Sequence, residues 1–290
     1  MRLPRSLGMV SLKDFGRLLL DSAYEWSRHR AASKGAALAL YMMFSLAPML
    51  ILVIAVAGTF FSEEAVQSEL FGQIRAWTGE RNAEVIRTVL ASARESGKDS
   101  VAALLSIVIL LFSATTAFAE LKASLDELWE VEDRNSIKKL IHSRILSFGL
   151  VLMLALFLLF SLTVNAVIAA TRAHYGVVWA NPMVAIAAQW LSQLFSFGIV
   201  TALFGVVYKL LPDTHIAWRH VWPGAVLTAA LFLLGKWAIG LCLNWSGTAS
   251  TYGAAGSLIA LLLWIYYSAQ IFFLGAVFTR QYEKWITRSD

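Results

Sequence analysis

VWPGAVLTAALFLLGKWAIGLCL, Val221 to Leu243, is an apolar run as long as a bilayer is thick, with one fixed charge, Lys236, inside it. A spanning helix needs about 20 predominantly apolar residues. A lysine at the centre of such a helix costs about 2.5–3.5 kcal/mol on insertion scales. Water, a partner, a substrate or a short reach to the headgroups must offset that cost. Lys236 lies about 22 Å from the Val221 end at roughly 1.5 Å per residue, past the middle of the run.

The rest of the chain shares this character. Of its 290 residues 58% are hydrophobic and 15% charged, against about 25% charged in an ordinary soluble domain. Mean hydropathy is +0.65, and the apolar residues cluster into long runs, which is the membrane signal. Cys242, the single cysteine, excludes an intramolecular disulfide and a cysteine metal cluster; it reads as a buried, inert thiol.

These runs predict an all-α, polytopic membrane protein with six transmembrane helices, at about 35–61, 101–119, 145–170, 183–208, 221–243 and 254–279. Residues 1–34 form a cytoplasmic N-terminal segment with an amphipathic helix, in which Leu12, Phe15, Leu19, Ala23 and Trp26 recur at helical spacing. Lys13, Arg17, Asp21 and Arg28 fall opposite. This helix suits either the surface of an anionic leaflet or packing under the bundle. The first apolar run is too long for a signal-peptide core, so it is expected to stay as an anchor.

Residues 62–100 carry two amphipathic stripes, Val66, Leu70, Ile74, Trp77 and Val85, Ile86, Val89, Leu90, Ala93, split by Thr78-Gly79-Glu80. They predict two short helices covering one end of the bundle. After the second span, Leu121, Leu125, Leu128 and Trp129 keep helical spacing in a charged connection. Residues 280–290 form a basic tail.

Seventeen of the 24 Lys and Arg lie in the N-terminal segment, the Glu120–Arg144 and Lys209–His220 connections and the tail. The positive-inside rule then places both termini in the cytoplasm and residues 62–100 outside. The net charge of +5 is explained by this distribution, with no call on nucleic acid.

The chain has no HExxH, CxxC, GxSxG, GxGxxG or Walker glycine loop. His29, His142, His174, His215 and His220 are scattered over connections, which argues against a metal site. Asp126, Glu127, Glu130, Glu132 and Asp133 resemble a carboxylate cluster, but they alternate with Leu125, Leu128, Trp129 and Val131 as a solvated helix face does. No catalytic residue, metal or cofactor is assigned.

Polar groups inside spans remain: Tyr41, Ser45, Ser113, Thr116, Asn165, Gln189, Gln193, Lys236, Tyr266 and Gln270, with Pro48 mid-span. Pro48 removes a backbone hydrogen bond and should kink its helix. Gln189, Ser192, Gln193 and Ser196 share a face that must meet other helices or water. Either these groups line a central cavity or each bonds a neighbouring helix. Substrate or cavity candidates are therefore Lys236, Gln189, Gln193, Tyr41, Ser45, Pro48, Asn165, Tyr266 and Gln270.

Gly35-Ala-Ala-Leu-Ala-Leu-Tyr41 with Phe44-Ser-Leu-Ala-Pro48 resembles the first-span signature of the YihY/BrkB family of bacterial inner-membrane proteins. Leu125-Asp-Glu-Leu-Trp129, Pro212-Asp213, Pro223-Gly-Ala225, Gly235-Lys236, Tyr252-Gly253, Leu263-Trp-Ile-Tyr266 and Leu274-Gly-Ala276 resemble later family motifs, in order along the chain. One departure is Val277, where the family often has an acid. The resemblance implies a six-helix integral protein of the inner membrane; members have carried ribonuclease and virulence-factor labels.

The residues favour a non-enzymatic protein that binds or transports a lipid-like or anionic amphipathic substrate, with membrane lipids as partners and no nucleic acid. The alternatives are a structural or scaffolding envelope protein and, disfavoured, a membrane-associated ribonuclease. Lys236 is read as an outward-facing anion site or as a snorkelling lysine.

Overall fold

The computed structural model describes residues 12–95, 116–131, 182–214, 216–245 and 254–287, together with helical positions 149, 153, 156, 160, 163 and 164. The helices are α1 (Leu12–Arg28), α2 (Ala31–Gly58), α3 (Glu63–Thr78), α4 (Glu80–Glu95), α5 (116–128), α6 (Pro182–Leu210), α7 (Trp218–Trp245) and α8 (Ala254–Thr287). Among the described residues there is no strand.

Among the described residues, three helical stretches are long and apolar enough to cross a membrane: Ala31–Gly58, Gln193–Leu210 and Leu258–Thr287, with mean hydropathies of 2.4, 1.5 and 1.9. They coincide with the expected first, fourth and sixth spans. α7 covers the expected fifth span as one helix. The expected spans at 101–119 and 145–170 lie mostly outside the described residues.

α8 is the hub. It packs against α7, α2, α1 and α4, while α6 packs on α7. Phe204, Tyr208, Phe232, Trp264 and Phe272 interlock where α6, α7 and α8 meet, with ring centroids 5.0–6.2 Å apart. The outward faces carry Leu40 and Phe44 on α2, Leu234 on α7 and Leu263 on α8, all exposed, as lipid contact requires.

Residues 62–95 form the expected helix pair. Ser62 caps α3 by accepting a hydrogen bond from the Ala65 amide at 3.4 Å, with Glu63 and Glu64 in the first turn. Gly79, at φ 86°, makes the turn into α4, a conformation that suits glycine. Val66, Leu70, Ile86 and Leu90 are buried, and the pair packs on α2 and, through α4, on α8.

Two helices run past the expected limits of their membrane spans, α5 as the helical spacing after residue 119 suggests. α5 continues through the charged connection because Leu121, Leu125, Leu128 and Trp129 are all buried. α8 continues through the basic tail, and its extra turns carry Arg280, Glu283 and Lys284.

α1 shows a face different from the one its periodicity suggests. Leu18 and Ser22 are the buried positions, and Phe15 meets Phe278 of α8 edge-on at 5.9 Å. Ala23 is exposed. Contact with α8 rotates the buried stripe away from the one read by hydrophobicity alone, because Ser22 fits against the bundle by bonding its own helix, Oγ to the Leu18 carbonyl at 2.6 Å.

Candidate functional site

The four basic segments counted in the sequence meet at one end of the bundle. Lys122 of α5 is the most buried charge there, its side chain 5% exposed. It donates to Asp126 at 2.9 Å and to the Leu211 carbonyl at 3.1 Å, and it pairs with Asp213 at 2.7 Å. Asp126 in turn accepts from the Asp213 amide at 2.8 Å. The ammonium thus has three acceptors and ties α5 to the loop between α6 and α7.

Two further acids, Glu127 of α5 and Glu130 just past its end, also pair with bases of other helices. Glu127 pairs with Lys34 of α2, and Glu130 pairs with Arg280 of α8. Arg280 also donates to the Leu128 carbonyl at 2.6 Å. Glu130 sits at φ 54° after α5, with the Val131 amide reaching back to the Asp126 carbonyl at 2.9 Å. Glycine would be the default for this left-handed closing position; Glu130 occupies it with its carboxylate on Arg280. The expected solvated face holds for Glu127 and Glu130, which are 64% and 53% exposed even though each pairs with a base of another helix; Asp126 is drawn inward by Lys122 of its own helix and the Asp213 amide, and Glu132 and Asp133 lie outside the described residues.

Two histidines border the junction. His29 Nε2 lies 3.3 Å from Glu25 and 3.8 Å from Glu130. His220 Nε2 accepts from Arg219 at 3.0 Å, which leaves Nδ1 toward Glu283 at 3.7 Å. Among the described residues no three His, Cys, Asp or Glu side chains gather as a metal site would need.

The hydrogen bond from Arg280 holds the Glu130 carboxyl below the usual carboxylate range, against the opposing effect of burial. A lowered folded value means the pair stabilises fully above the ordinary value of 4.5, and that stability is lost as pH falls through the lowered one. The melting temperature of the detergent-solubilised chain is expected to drop on acidification below that range. Glu130→Gln is expected to drop less steeply over the same window; identical slopes for the two proteins would remove Glu130 from the acid response.

Beside the junction, α7 and α8 interlock through a repeated pattern, Gly224-x-x-x-Thr228 and Gly275-x-x-x-Thr279. Each threonine hydroxyl donates to its own glycine's carbonyl, at 2.7 and 2.8 Å. Each also fills the space over the other helix's glycine: a Cβ at Gly224 would overlap Thr279 Oγ1, and one at Gly275 would overlap Thr228 Oγ1. Tyr208 of α6 closes the contact, its hydroxyl donating to the Phe272 carbonyl at 2.7 Å and lying 2.9 Å from Thr228 Oγ1. Small residues let helices approach in this way.

The intramembrane candidates whose side chains are described, Tyr41, Ser45, Pro48, Gln193, Tyr266 and Gln270, are not brought to one site. Ser45 is buried and donates within its own helix, to the Tyr41 and Met42 carbonyls at 2.8 and 3.3 Å. Tyr41 is 40% exposed. Pro48 lies inside the unbroken α2. Gln270 donates to the Ala32 carbonyl at 3.3 Å and fills the space over Gly35; Tyr266 is half-buried one turn away on α8. Gln193 is exposed on α6. The side chains of Gln189 and Lys236, and all of Asn165, lie outside the described residues, although Lys236 follows Gly235, over which the Tyr267 ring packs.

The residues that organise this end were not singled out from sequence as a site: Lys122, Tyr208, Thr228, Thr279 and Arg280. A signal for two of them was present in the repeated Gly-x-x-x-Thr spacing. The motif positions Asp126, Asp213, Gly224 and Gly275 all fall in the junction or the interlock beside it.

The family described as Virulence factor BrkB matches residues 22–289. A UPF0761 membrane protein of Pseudomonas aeruginosa is 27% identical over 274 residues, covering 91% of this chain and 61% of the relative. One from Stenotrophomonas maltophilia is 28% identical over 286 residues, covering 93% and 62%. One from Albidiferax ferrireducens is 28% identical over 243 residues, covering 81% and 56%. The chain thus spans about three fifths of the length of these relatives. No solved structure matches it. With a family match running from α1 through α8 of an apolar helical bundle, the chain belongs to the BrkB family of membrane proteins.

Proposed function

We propose that this chain is a non-enzymatic protein of the bacterial inner membrane, with both termini cytoplasmic, that binds or moves a lipid-like or anionic amphipathic substrate. The observation that carries this reading is on α6. Gln193 and Ser196 are exposed there beside Leu194 and Phe195, also exposed, where the expected spanning helix would meet lipid. Amide and hydroxyl groups next to apolar side chains suit a molecule with a polar head and an apolar tail. Lys236, on the outer half of α7, supplies the one intramembrane cation for an anionic head.

Hydrolysis of a phosphodiester has less support. Two-metal chemistry needs carboxylates that converge and remain free to bind cations. Asp126, Glu127 and Glu130 are each held by a lysine or arginine.

The test is transfer of a fluorescent anionic phospholipid by the purified chain in liposomes. The wild type is expected to accelerate transfer, and Lys236→Ala to slow it roughly tenfold, the loss of one charge-assisted hydrogen bond. Unchanged transfer in the variant removes Lys236 from the mechanism. No acceleration by the wild type favours the scaffolding alternative, which is supported by the polar outer face of the α3–α4 pair.

A further inference from the structure

We infer that the outer face of α1 is a docking surface for the headgroups of an anionic phospholipid leaflet, and that this is the helix face opposite the one hydrophobic periodicity selects. Leu18 and Ser22 are buried against the bundle, and Phe15, though 40% exposed, touches Phe278 of α8. On the other side Leu20 and Tyr24 stand 72% and 71% exposed, bracketed by Arg17 and Arg28, which are exposed too. The four follow spacings of three and four, so they form one stripe. Large apolar groups flanked by arginines are what an interfacial helix presents.

The depth of α1 supports this occupant. Gly224 of α7 meets Thr279 of α8, and Phe15 of α1 meets Phe278 of α8. α1 therefore runs level with the first turns of α7, where Trp218 and Trp222 pair at 6.4 Å and stand 45% exposed. On α8 the half-buried rings of Tyr282 and Trp285 stack in series, with Phe278 buried beside Tyr282. Such belts mark the boundary between membrane and water. Arg219 of α7 and Lys284 of α8 are exposed as well; on α1 Arg28 pairs with Glu25 at 3.2 Å and Asp21 is exposed, so Arg17, Arg219 and Lys284 carry the positive charge. The surface is thus continuous with the lipid-facing belt and has the charge that suits an anionic leaflet.

The inference concerns a face distant from α6 and Lys236, and its test reads no lipid transfer. An environment-sensitive fluorophore is placed at Leu20→Cys, in the full chain carrying Cys242→Ser, and the protein is reconstituted in phosphatidylcholine with or without phosphatidylglycerol. Quenching by aqueous acrylamide, a neutral quencher, is expected to weaken when the anionic lipid is present, because the leaflet attracts the arginines, and the protection to vanish with Arg17→Gln and Arg28→Gln together. Quenching as strong as at a label on exposed Glu84, in both lipids, overturns the inference. Equal protection in both lipids overturns the charge assignment. Protection that tracks the protein-to-lipid ratio assigns the face to a second copy of the chain instead.

Discussion

Lys122→Met is expected to destabilise the detergent-solubilised full chain by about 3–5 kcal/mol, the usual result of removing one partner from a buried ion pair. Lys122 is nearly inaccessible, and Asp126 and Asp213 are 23% and 25% exposed. Without the ammonium, two carboxylates from different elements face each other and the Leu211 carbonyl loses a donor. The effect belongs to the charge set more than to the lysine. Lys122→Met combined with Asp126→Asn and Asp213→Asn is expected to recover much of the loss, because a neutral replacement of a buried pair is often tolerated. Denaturant unfolding of the single and triple variants measures both quantities. A single variant within about 1 kcal/mol of the wild type would mean that the cluster behaves as an exposed surface pair.

Gly275→Ala is expected to destabilise by about 1–3 kcal/mol, the range for overfilling a packed core. Its Cβ would overlap Thr228 Oγ1 and lie 2.7 Å from Tyr208 Oη and 3.0 Å from Thr228 Cβ. None of these atoms is the far end of a flexible chain, since Tyr208 and Thr228 are fully buried and each hydroxyl donates to a backbone carbonyl. Thr228→Ala in the same chain is expected to restore part of the loss by removing the hydroxyl, and only part, because the other two contacts remain. Gly198→Ala on α6 is the control: a Cβ there meets nothing within 4 Å, so the change should be neutral or slightly stabilising through backbone entropy. Equal melting temperatures for the Gly275 and Gly198 variants would show that α7 and α8 can part without loss.

Much of the helical framework was legible in the sequence, because apolar runs of bilayer length and stripes at helical spacing report burial directly. The two short helices split at Gly79, the helical continuation through Leu128, and the grouping of basic segments at one end follow from spacing and charge alone. The buried face of α1 was legible only in part: Phe15 and Trp26 contact the bundle as their spacing suggests, but Leu18 and Ser22 are the most buried positions and Ala23 is exposed. Hydrophobicity ranks Leu19 and Ala23 as inward and Ser22 as neutral, whereas a serine that bonds its own helix can sit against a neighbour with no unmet polar group.

By itself, the sequence determined that this is a helical membrane protein with one strongly basic end, since hydropathy and charge are properties of local segments. Only the tertiary structure decided which acid meets which base, that Thr228 and Thr279 each settle over the other helix's glycine, and which side of α1 is left open. Those outcomes depend on helix rotation and relative depth, set by contacts between residues as far apart as Arg280 and Leu128. A one-dimensional pattern carries the period of a helix but not its phase against a partner.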